Sequence, residues 1–269
     1  MRIRTAGNRG SFYPKDAKEI ERYIKTFDNL ESKLNPSDTQ ERITPKAIIS
    51  PHAGYIYSGF TANIAHKLLA KHNVERVVVI GPSHHLYFEG ISGSFYDAYQ
   101  TPFGNLPIDT QYLEQLDEKF GIEFIEEAHH KEHSTETQMP FIAYYQPNVK
   151  VIELIYGKTT PTALSKIITC LLKDPQTSVV ISTDLSHFYP LSQANHLDHV
   201  CLKGVEQRDN TILEKGCEAC GKIGVEAIIE SSRELNLQTK ILDYRTSADA
   251  SGDTQRVVGY MSAAIYSGG

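Results

Sequence analysis

The run RVVVIGPSHH, residues 76–85, constrains this chain most. Its unbroken aliphatic core leaves no polar face, so the strand must be covered on both sides, as in a parallel sheet. KAIISPH (46–52) and SVVISTDLSH (178–187) have the same character. Helical periods lie between them. GFTANIAHKLLAKH (59–72) gathers Ala62, Ile64, Ala65, Leu68 and Leu69 on one face, and TPTALSKIITCLLKD (160–174) is amphipathic in the same way. Further strands are expected at 121–127 and 149–157, and a helix over 133–146, where Thr135 and Gln138 have capping-box spacing. Residues 190–236 read as mainly helical, and 240–248 with 256–266 as a closing pair of strands. This alternation predicts an α/β fold: one domain, 1–269, with a central mostly parallel or mixed β-sheet flanked by helices. ESKLNPSDTQER (31–42), polar and punctuated by Pro36, reads as a surface loop.

At 269 residues the chain can bury roughly three quarters of its unfolded surface, so its core needs no staples. Its four cysteines are too few for a disulfide framework. Cys217-Glu-Ala-Cys220 is a lone CxxC without the partners of a zinc site, and reads as two small residues on a helix face. The net charge of -6, with no basic block, argues against nucleic acid as a partner. No apolar run approaches the ~18 residues of a membrane span, and the N-terminus lacks the apolar stretch of a signal peptide. A cytoplasmic location and no membrane partner are expected.

The three strong strands share one feature: each runs into histidine. The first ends in Pro51-His52, the second in Ser83-His84-His85, the third in Asp184-Leu-Ser-His187. Ligands of open α/β sheets bind beyond the carboxyl ends of the strands, so these histidines converge if the strands are parallel neighbours. Glu132-His133-Ser-Thr-Glu136 adds a fourth cluster at a helix start. In an extended segment His84 and His85 point to opposite sides, so one of them enters the site. Asp184 either caps a following helix or, three residues from His187, orients that imidazole. Imidazoles with a carboxylate make a donor set for Fe(II) or Zn(II). A histidine left off the metal is a general acid/base. His129, His130 and Lys131 read as a solvated loop, His66 and His72 as structural, and His196 and His199 as helix surface. There is no Walker loop, dinucleotide fingerprint or GxSxG elbow.

The series RGSFYP (9–14), PHAGYIYSG (51–59), GPSHH (81–85), EHSTETQMPF (132–141), STDLSHF (182–188) and CG (220–221) resembles the motif series of the Memo family, in order and over nearly the whole chain. The resemblance implies a fold similar to class III extradiol ring-cleaving dioxygenases, with a divalent Fe, Zn or Cu ion as cofactor. It implies His52 and His84 as metal ligands, His187 as acid/base, and His133 as a further pocket histidine. It also implies a functional link to a radical SAM protein, with which microbial members share a gene grouping. In the dioxygenases the third ligand is a late glutamate, and in animal Memo the stretch taken here to correspond supplies a cysteine. Here that stretch, near Ala250, reads SADASGD, so a thiolate is impossible there and Asp249 or Asp253 stands as the third ligand.

Two functions stay open at this point. One is a metal-dependent oxidoreductase or related enzyme, with His187, Asp184 and His133 as catalytic groups and His85, Glu136 and Tyr55 contacting substrate. The other is a non-catalytic binding module, in which the pocket with Tyr55, Tyr57 and the 134–138 helix start holds a small anion or a peptide side chain.

Overall fold

The computed structural model describes residues 1–34 and 43–268. Its strands are β1 (Ile3–Arg4), β2 (Pro45–Ser50), β3 (Arg76–Pro82), β4 (Ile91–Gly93), β5 (Ala98–Thr101), β6 (Gly104–Pro107), β7 (Lys150–Tyr156), β8 (Thr177–Ser182), β9 (His187–Tyr189), β10 (Leu237–Thr246) and β11 (Val257–Ser267). The main sheet runs β10-β11-β2-β8-β3-β7-β4, with β9 added on β11. Its centre, β2-β8-β3-β7, is parallel, and the outer pairs are antiparallel. A small second sheet, β1-β5-β6, carries the N-terminus. The fold is therefore a single-domain α/β arrangement with a mixed central sheet.

The aliphatic runs dictate the layering. Along the central strands Ile49, Val78, Ile80, Ile152, Leu154, Val179 and Ile181 pack on one face against helices Pro161–Lys173 and Lys222–Glu234. Ile48, Val77, Val79, Val151 and Val180 pack on the other against helices Tyr55–Leu69 and Met139–Tyr145. Both faces are dry, as the continuous runs require. The expected face of the 59–72 helix is buried in full, although that helix begins earlier, at Tyr55, whose ring and Ser58 pack inward while Ile56 and Tyr57 are exposed.

Several local expectations are corrected. Residues 121–127 form no strand: Glu123 makes one isolated bridge to Ser92, and a short helix, Glu126–His130, follows. Thr135 does not cap the next helix, because its hydroxyl donates to Glu153 instead. Residues 31–34 end the helix Ala17–Leu34, which was not anticipated, and the rest of the expected surface loop, 35–42, lies outside the described residues. Two cysteines are paired: Cys201, on helix Leu191–Gln207, is disulfide-bonded to Cys217. Neither Cys217 nor Cys220 is helical.

His129 is also corrected. It is fully buried, with Nδ1 2.7 Å from Glu153 and Nε2 2.8 Å from Ser92. Its partner lies on a central strand, which local sequence cannot reveal. Glu153 in turn accepts the Tyr99 hydroxyl at 3.0 Å and faces the buried Arg4 guanidinium at 3.7 Å. Burial opposes its charge, but Arg4, His129 and Thr135 outweigh burial and hold its pKa at about 2. Breaking one partner of such a pair leaves an uncompensated buried charge, costing about 3–5 kcal/mol. Glu153→Ala is therefore expected to lower unfolding free energy by about that amount in urea melts at pH 7. Because the folded-state pKa is depressed, the carboxylate's stabilisation is complete above the unfolded value near 4.5 and is lost as pH falls toward about 2. Acid titration should thus narrow the gap between the two proteins, and a gap independent of pH would contradict this assignment.

Candidate metal centre

Parallel register brings the site together. Ser50 stands opposite Ser182 and Ile80 opposite Ile181, so the chain leaves β2, β8 and β3 at one level. Two residues past Ser50, the His52 N–H donates to Asp184 Oδ1 at 2.8 Å, two residues past Ser182. His84 follows β3 by two residues. The ring centroids lie 5.2 Å apart for His52 and His84, 5.3 Å for His52 and His133, and 4.5 Å for His84 and His133. Phe12 stacks on His133 at 4.5 Å and closes that side.

The donor set includes a cysteine. Cys220 Sγ lies 3.4 Å from His52 Nε2, and donor atoms of His52, His84 and Cys220 all fall within 4.8 Å of one another. The expected third ligands are elsewhere. Asp249 accepts the Thr246 N–H at 2.8 Å and closes a turn, and the exposed Asp253 accepts the Gln255 N–H. Among the described residues neither joins a candidate cluster. The thiol comes instead from the segment before helix Lys222–Glu234, in the Cys220-Gly221 pair. Gly221 is required there because a Cβ would meet Ser182 O at 2.8 Å and Thr183 Cβ at 2.6 Å. That close approach lays Cys220 against the end of β8. The CG pair carries the signal for this ligand, and the stretch near Ala250 does not supply it.

Hydrogen bonds fix the tautomers. Ser182 Oγ has one proton and donates it to the Ser134 carbonyl. It must therefore accept from His52 Nδ1 at 2.9 Å, which leaves the Nε2 lone pair facing Cys220. Gln138 reinforces this, donating through Nε2 to Ser182 Oγ and to Pro51 O, each at 2.9 Å. His84 Nδ1 lies 2.8 Å from Glu132 Oε1, a carboxylate that can only accept, so Nδ1 keeps its proton and Nε2 is the nitrogen that a metal ion would take on displacing the other proton. Metal-binding histidines are oriented by the same kind of outer partner. The residues present thus fit a divalent transition metal: two directed imidazole nitrogens, one sulfur, and nearby carboxylates.

Charge follows the geometry. Burial, then the neighbouring His84 and His133, lowers His52 well below 6.5. Burial and His84 lower His133 to about 4. For His84 burial is outweighed by hydrogen bonds to Cys220 and Glu132, and its pKa rises to about 10, so the point between imidazole and thiol favours positive charge. Burial pushes Asp184 up to about 7 against the N–H bonds from His52 and Ala53. Its carboxylate faces His52 rather than orienting His187, and no helix begins at 185.

The remaining expected residues divide. His187 opens β9, partly buried, within electrostatic reach of His52, His84 and His133. His85 is exposed, 5.9 Å from the His133 ring. Glu136 is not brought to the histidines: it is fully buried and accepts from Arg4, Gly7, Asn8 and Tyr13. Tyr55 is buried as well, stacked on Phe141 with its hydroxyl on Thr137 O. Tyr57 is exposed. A cavity of about 410 Å³ adjoins the donor set, lined by His84, His85, Leu86, Phe88, Lys158 and Cys220 among others.

The fold and site define a class: an α/β protein with a two-histidine, one-cysteine candidate metal centre beyond its parallel strands. The comparisons give the family. The model of Memo-like proteins matches residues 4–264. A MEMO1 family protein of Aquifex aeolicus is 33% identical over 97% of this chain and 98% of its own length. Another, from Methanobrevibacter smithii, is 31% identical over 94% and 96%. The chain belongs to the Memo family. No helix among the described residues is long and apolar enough to cross a membrane.

Ser182→Ala removes the acceptor that directs His52. Calorimetric titration of Zn(II) is expected to show metal affinity falling roughly 10–100-fold, as for other outer partners. Asp249→Ala should leave affinity unchanged. Weakening by Asp249→Ala with none by Ser182→Ala would reverse the assignment.

Proposed function

We propose that this protein is a metal-dependent enzyme of the oxidoreductase type, with Fe, Zn or Cu held by His52, His84 and Cys220. The observation that carries the reading is the commitment of both Nδ1–H groups, to Ser182 and to Glu132, with Cys220 Sγ beside the two Nε2 atoms. A bound ion supplies Lewis acidity and, for iron or copper, electron-transfer chemistry. His187, partly buried, off the donor triad and within electrostatic reach of it, accepts and returns the proton. Asp184 holds the His52 backbone and limits the motion of its ring. His133, stacked between Phe12 and His84, walls the pocket and excludes water on that side. Substrate enters by the cavity next to His84 and Cys220, where Leu86 and Phe88 offer apolar contact and His85 a polar one.

The same cavity supports a second reading, a binding module that holds a small anion without turnover, because Lys158 and His85 line it. Titration of Fe(II), Zn(II) and Cu(II) separates the two. His52→Ala, His84→Ala and Cys220→Ser should each weaken binding by more than the roughly 10–100-fold loss of an outer partner. Wild-type affinity retained in all three would refute the metal centre and leave the binding module.

A further inference from the structure

We propose that the Cys201–Cys217 disulfide is a redox-sensitive brace that positions Cys220, so that its reduction weakens the metal centre. The inference rests on the reading of His52, His84 and Cys220 as metal ligands. Residues 214–221 join helix Asn210–Leu213 to helix Lys222–Glu234 and contain neither helix nor strand. Their outward side chains, Glu214, Lys215 and Glu218, are exposed, while Cys217 and Ala219 are buried. Gly216, at φ 129°, adds a turn that other residues rarely adopt. Cys220 lies next to the end of this segment. Its backbone is held by the Cys217 N–H on Leu213 O at 3.0 Å, the Cys220 N–H on Asp184 O at 3.2 Å and the Gly221 N–H on Thr183 Oγ1 at 2.8 Å. The one covalent tie lies three residues before Cys220, to Cys201 in the core.

The helix at the other end of that tie serves both sides of the site. Cys201 lies on helix Leu191–Gln207, which also carries the buried Asp198. Asp198 accepts the Ser186 N–H at 2.9 Å and the Tyr244 hydroxyl at 2.8 Å, and so fixes the loop that bears Asp184 and His187. One helix therefore holds the acid/base loop through a carboxylate and the thiol segment through a disulfide. A dithiol reductant would transfer two electrons and two protons to the bond, giving Cys201 and Cys217 as thiols and becoming a disulfide itself. The segment then keeps its hydrogen bonds, including the contacts of Cys220 Sγ with Asp184, but loses its covalent tie to the core, and Cys220 spends less time against His52 and His84. The sulfur that binds metal is never oxidised in this scheme, since control acts on its neighbour.

Anaerobic Co(II) titration of the full chain tests this, read by affinity and by the thiolate-to-cobalt charge-transfer band. Three samples are compared: the oxidised protein, the protein reduced by dithiothreitol and freed of it, and Cys201→Ala/Cys217→Ala, which offers no substitute thiol. Circular dichroism melts set a temperature at which all are folded, and the reduced wild type serves if the double variant is unstable. The brace predicts affinity about 10–100-fold weaker, with a smaller band, in the reduced and double-variant proteins. Equal affinity and band in all three overturn the brace and leave the metal centre standing. An oxidised protein without a band that Cys220→Ser removes overturns both.

Discussion

One hydroxyl joins the sheet to the site. Ser182 is the last residue of β8, the strand flanked by β2 and β3. Its oxygen accepts from His52 Nδ1 and Gln138 Nε2, and its proton goes to Ser134 O. Three segments far apart in sequence are thereby fixed around one buried atom. A fully satisfied buried network of this kind specifies a single arrangement, because any partner left unpaired there is costly. The direction of the His52 lone pair, and with it the donor set, follows from that bond.

The close approach of segments depends on residues without side chains. Gly81 lies against residues 134–135, where a Cβ would meet Ser134 Oγ at 2.6 Å, and Gly221 lies against the end of β8. These contacts give the GPSHH and CG stretches a physical meaning beyond resemblance. On the far side of His133, the N-terminal segment is held by Glu136, which bonds Arg4, Gly7, Asn8 and Tyr13 and so keeps Phe12 on the imidazole. Glu136 acts on the pocket through that packing.

The central sheet was legible because VVVI and VVIS report burial on both faces directly. The three histidines were legible for the same reason, since a strand's carboxyl end is predictable once the strand is. Short strands such as β4, β5 and β6 were not, because three or four residues carry no periodicity of their own. Helix Ala17–Leu34 buries only Ile20 and Ile24 fully and so shows a thin apolar stripe. His129 and Cys220 were misjudged for another reason. Each depends on a partner distant in the chain, Glu153 for one and His52 for the other, and local sequence does not record which distant group arrives.

The central claim is that His52, His84 and Cys220 form one metal centre oriented from behind by Ser182 and Glu132. The most direct measurement is anomalous diffraction from crystals of the protein grown with Zn(II). The account predicts one strong peak about 2.0–2.1 Å from Nε2 of both histidines and about 2.3 Å from Cys220 Sγ. A peak centred on His133 and Glu132 without the cysteine, or at Asp249, would contradict it.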